Sequence, residues 1–105
     1  MMKKLIALSL LFVAQNILAA TLTVPSNGNI QDVVKQAKDG DTILVEPGIY
    51  HQSVYIDQQN ITFRGLEKDG KHAVLDGQMK LNDGIITSGH GSVIDGFHVK
   101  GYKGN

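Results

Sequence analysis

Chemistry in a chain of 105 residues without cysteine has to come from its histidines, carboxylates, cations and tyrosines. The four histidines, His51, His72, His90 and His98, lack the i, i+4 helical spacing of a zinc motif and fall in strand or turn contexts, so they read as solvent-facing side chains. Asp76 and Asp95 each precede a glycine, and Asp57 opens the turn DQQN. A short carboxylate at such a place bonds its own backbone, and a turn role is expected for all three. No stretch offers the converging oxygens of a calcium loop, so no metal site and no cofactor is expected. Gly89-His90-Gly91 has no following helix whose N-terminus could receive a phosphate, and it reads as a turn. Asn60-Ile61-Thr62 has the form of a glycosylation sequon, yet Asn60 suits a left-handed corner before a strand. Tyr50, Tyr55 and Tyr102 could stack on a sugar ring; Tyr55 alternates with Val54 and Ile56 and is expected to face outward where they face in.

The elements that must position these residues begin after an export signal. Residues 1–20, MMKKLIALSLLFVAQNILAA, run from Lys3 and Lys4 through an apolar stretch to small residues, the layout of a secretory signal peptide. The apolar run is broken by Gln15 and Asn16, too short for the roughly 20 residues of a membrane span, so cleavage is expected rather than anchoring. The expected cut follows Ala20, with a cut after Ala19 nearly equivalent. Loss of Lys3 and Lys4 leaves eight basic against ten acidic residues, a formal charge of −2 over residues 21–105. Such a balance is no footprint for nucleic acid or for an anionic membrane surface. Without cysteine, no disulfide stabilises the chain in a secreted or periplasmic location.

Ile30, Val33, Val34 and Ala37 fall at i, i+3, i+4 and i+7, the stripe of an amphipathic helix over 29–39. Asn29 is its expected N-cap and Gly40 its expected left-handed stop. Thereafter TILV (42–45), SVYI (53–56), ITF (61–63), AVL (73–75), IIT (85–87) and SVI (92–94) are short, β-branched and separated by Asp-Gly pairs, Pro47-Gly48 and Asn60. Ile43 and Val74, Val54 and Ile85, and Gly65 and Gly96 are each 31 positions apart, and Arg64 meets Asp95 at the same offset. Strands recurring in order at one period describe an all-β solenoid whose units stack as parallel sheets, here in about two rungs with the helix as an N-terminal cap. Parallel stacking also explains the Pro-Gly corner between neighbouring strands, since strands adjacent in sequence need not pair.

The runs GDTILVEPGIYHQSVYI, NITFRG, AVLDG and GSVIDGFHVKG resemble the N-terminal coils of right-handed parallel β-helix proteins, the pectate lyase-like superfamily. The resemblance covers about Ile30 to Gly101 and implies a right-handed coil plugged by its amphipathic helix. It further implies an exported repeat protein, the N-terminal portion of a polysaccharide-acting lyase, esterase or epimerase whose active site lies outside this chain. A non-enzymatic carbohydrate-binding or surface β-helix protein is the alternative, and whether the chain is an enzyme is left open. Lyases of this fold place acidic metal ligands or a cationic neutraliser with a Lys or Arg base on an outward sheet. That singles out Asp57, Arg64, Asp76, Asp95, His98 and Lys100, with no catalytic residue assigned among them. The expected partner is an acidic polysaccharide. Because GFHVKGYKGN ends just after a strand with no capping element, the last rung is also expected to be open for self-association.

Overall fold

The alternation of β-branched residues with polar ones is realised as short strands wound into a coil. A computed structural model describes residues 18–104, so the expected signal peptide lies outside the described residues except for its last three. The elements are β1 Thr21–Val24, α1 Ile30–Gln36, β2 Thr42–Val45, β3 Gly48–Tyr50, β4 Val54–Ile56, β5 Thr62–Gly65, β6 Ala73–Asp76, β7 Ile85–Thr87, β8 Val93–Asp95 and β9 Phe97–Lys100. They form three sheets in the orders β1-β2-β5-β8, β3-β6-β9 and β4-β7, and every strand pair is parallel. From β2 onward, consecutive strands belong to different sheets and stack on strands of the previous turn, giving a parallel β-solenoid of about three turns where two were expected.

Period-two alternation sends one face of each strand inward. Ile43 and Val45, Tyr50, Val54 and Ile56, Phe63, and Ala73 and Leu75 are buried, and the residues between them turn outward. Successive turns stack like on like: Leu22, Ile43, Phe63 and Ile94 form one inward column, and Tyr50, Leu75 and Val99 another. Where the sheets meet, Phe63 stacks on Phe97 with ring centroids 4.5 Å apart.

The coil is less regular than a single period predicts. The registers Val54 to Ile85, Thr62 to Val93 and Phe63 to Ile94 keep the expected 31-residue spacing. Ile43, however, stacks on Phe63, and Val74 lies in another sheet against Ile49. The turn from β2 to β5 has corners of two, three and five residues. The next turn inserts longer loops, one closed by the antiparallel Lys68–Lys71 bridge and one spanning 77–84. The Ile43–Val74 spacing therefore equals the period by coincidence. Three strands were not expected: β3, hidden in a Pro-Gly corner, β1 and β9.

At the N-terminal end, the Asn29 side chain accepts the Asp32 N–H at 2.9 Å and caps α1. Ile30 and Val34 are fully buried, worth roughly 1.5–3 kcal/mol each. The helix is shorter than 29–39. It stops at Gln36 because Ala37 is extended while its N–H still bonds Val34 O. Gly40 is left-handed (φ +88°), but it serves a corner of the coil and does not cap the helix. Asn60 and Gly91 occupy the same corner one and two turns on, at φ +58° and +77°, so the left-handed role expected of Asn60 is the one it has.

Candidate functional site

The candidates of opposite charge meet at one outward corner between the β1-β2-β5-β8 and β3-β6-β9 sheets. Arg64 points out of β5 because its neighbours Phe63 and Gly65 point in, and Asp95 points out of β8 directly beneath it. Arg64 Nε donates to Asp95 Oδ1 at 2.9 Å and Nη2 to Oδ2 at 3.4 Å, the pair foreseen from the 31-residue offset. Both side chains are about half exposed, and the carboxylate holds the guanidinium still more firmly in its charged form.

Beside this pair, His98 projects from β9 against His72, which precedes β6. Their rings are stacked with centroids 4.3 Å apart and an interplanar angle of 22°. Arg64, Asp95, His72, His98 and Glu67 line an open groove of about 520 Å³. The groove depends on a corner that turns in a single residue. Gly96 alone links β8 to β9 at φ +81°, and a Cβ on Gly65 above it would come within 2.6 Å of the Gly96 carbonyl oxygen. Only glycine allows the two backbones to lie this close.

The remaining candidates are elsewhere. Asp76 and Lys100 are register partners at the far end of the same sheet as His98. Asp76 Oδ1 accepts the Gln78 N–H at 2.9 Å, the turn role expected of it, and its carbonyl oxygen lies 2.9 Å from His51 Nδ1. Asp57 lines a separate groove with Gln31, Tyr55 and Ile86. Tyr55 is outward and half exposed as expected. Tyr50 is instead buried, its hydroxyl donating to Glu46 O at 2.6 Å, and Tyr102 is partly buried with its hydroxyl on Gln52 O. Burial raises the pKa of both phenols, which leaves neither as a base or a sugar platform. His72 also departs from its expected solvent-facing role, being half-buried under His98.

Chemically, the corner offers the free edge of a guanidinium, two carboxylates and two imidazoles sharing one stack, of which His98 is exposed and His72 half-buried. Such a set can bind a polar chain through hydrogen bonds, charge and ring contact. It does not enclose a reacting bond, and Arg64 and Asp95 are committed to each other. Among the described residues no three of His, Asp and Glu converge as a metal site requires. The stacked histidines escaped the sequence because β6 and β9 are offset by fewer residues than β5 and β8; the register of Val74 with His98 reveals them. In comparison with known proteins, no family model, no curated protein and no solved structure matches the chain.

Proposed function

We propose that the chain is an exported, carbohydrate-engaging β-solenoid akin to right-handed pectate lyase-like β-helices. Its turns supply a binding surface for an acidic polysaccharide, with catalysis residing outside the described turns. The observation that supports this reading best is the groove in which Arg64, Asp95, His72 and His98 stand on adjacent turns. Consecutive sugars of an extended polymer could meet them in sequence, with carboxylates facing Arg64 and ring faces lying on the imidazoles. Openness to solvent favours binding over bond cleavage, because general acid–base chemistry gains from a group held where water is excluded.

Titration of the purified chain with polygalacturonate, alginate and chondroitin sulfate in a calorimeter tests this. Arg64→Ala is expected to weaken binding, and Asp95→Asn to strengthen it by releasing the guanidinium. Both effects should shrink as salt is raised. Equal affinity of the two variants, or no binding to any of the three polymers, rejects the groove.

A second reading, a surface or structural protein that self-associates through the β8–β9 turn, is favoured by the exposure of the inward-column residues Ile94 (42%) and Val99 (50%). Sedimentation that depends on protein concentration and not on polysaccharide would support it in place of the first.

A further inference from the structure

Among the described residues, the buried charged side chain is Asp41, only 5% exposed, between α1 and β2. One carboxylate oxygen accepts the Ala20 N–H at 2.8 Å and the other the Lys38 N–H at 2.8 Å. The Ala20 carbonyl in turn accepts the Thr42 N–H at 2.9 Å. Ala20 is thus held to the coil by both of its backbone groups, while Leu18 is 83% exposed and Ala19 is exposed as well. The nearby charged groups are Lys38 and Asp39, both on the surface. The hydrogen bonds to the carboxylate come from amides, with the Lys38 charge favouring its ionised form, and an ammonium group at the position of the Ala20 nitrogen would add a direct charge-assisted partner.

We propose that maturation of the exported chain cleaves the Ala19–Ala20 bond, and that the new α-ammonium of Ala20 becomes the ion-pair partner of Asp41, fastening β1 to β2. The proposal rests on the export reading. The step is a hydrolysis: water adds to the Ala19 carbonyl carbon and the C–N bond breaks. Ala19 leaves on the leader as a carboxylate, and the Ala20 nitrogen takes up protons as an ammonium. The catalyst is a leader peptidase acting before the chain folds. Cuts after Ala19 and after Ala20 both leave a small residue at the new leader end, so residue size does not separate them. The fold does. A cut after Ala20 removes the donor to Asp41 and the acceptor of the Thr42 N–H together, stranding a buried carboxylate oxygen.

The test is expression of the full chain with its own leader in a Gram-negative bacterial host, followed by intact-mass measurement and N-terminal sequencing of the exported product. A product beginning at Ala20 is expected. The Ala20 amine should then be acylated at neutral pH several-fold more slowly in folded than in urea-unfolded protein, because a paired ammonium is held in its unreactive protonated form. A product beginning at Thr21 overturns the proposal and leaves export standing. A product that keeps its leader overturns both. A product beginning at Ala20 whose amine reacts equally fast folded and unfolded removes the ion pair.

Discussion

At the α1 end of the coil, the exposed edge of the first turns is covered by side-chain amides, whereas the turn built from β8 and β9 leaves its inward column open. Gln31 Nε2 donates to Tyr55 O at 2.9 Å and its Oε1 accepts Tyr55 N–H at 2.8 Å, so one side chain stands in for a neighbouring strand on β4. Gln52 bonds Ile30 N–H and Gly28 O, and Gln58 bonds the carbonyls of Val34 and Ala37. At the other end, Ile94 and Val99 continue the columns of Phe63 and Leu75, yet both are exposed. A strand's stability in a solenoid is therefore set by its neighbouring turns more than by its own residues.

The largest effect expected from that contrast is between register partners. Phe63→Ala should cost about 3–5 kcal/mol, while Ile94→Ala, one turn below in the same column, should cost under about 1 kcal/mol. Urea denaturation of both variants measures the pair. Equal losses would mean that the last turn is covered in solution. Next in size, Gln52→Ala should cost about 2 kcal/mol, because it leaves the Ile30 N–H and the Gly28 carbonyl without partners at a partly buried site. A midpoint unchanged from wild type would show that the capping segment is held by apolar contact alone.

The same contrast explains what could be read from the sequence. The Arg64–Asp95 pair and the Val54–Ile85 register were legible because β7 and β8 follow their corner with the same loop length as β4 and β5. The Ile43–Val74 match was false because loop insertions, which carry no period, set how many residues each turn consumes. Tyr50 could not be placed, since a three-residue strand opening on a Pro-Gly corner shows too little alternation to assign a face. The amide caps escaped for a different reason: glutamine in a turn looks like solvent-facing composition until the helix lies above it. Ser92 lies one step before the paired stretch of β8, beneath buried Ile61, with its hydroxyl buried and unbonded. Nothing in its surroundings explains a polar group there.

The N-terminal end should also respond to acid through Asp41. The N–H groups of Ala20 and Lys38 hold the Asp41 carboxyl below the ordinary carboxylate range. A depressed folded value means that the stabilisation is complete above the unfolded value, near pH 4, and is lost as pH falls below that through the folded value. Asp41→Asn should be less stable at neutral pH but flatter in this acid window. Thermal melts of both proteins from pH 7 down to about pH 2 decide it, and parallel curves would place the acid response elsewhere.

The smallest expected effect on stability is the most informative about the open turn. Ile94→Ser combined with Val99→Ser removes apolar surface that water already reaches, so the folding free energy should move by no more than about 0.5 kcal/mol per site. If the last turn meets a second copy of the chain, the double variant should nonetheless shift the protein from associated to monomeric in sedimentation velocity. An apolar edge with free backbone groups is what such a contact covers. If the wild type is already monomeric across the accessible concentration range, the open turn has no self-association to lose. A drop of several kcal/mol would show instead that Ile94 and Val99 are packed in solution. The contrast between the two ends would then reduce to one of degree.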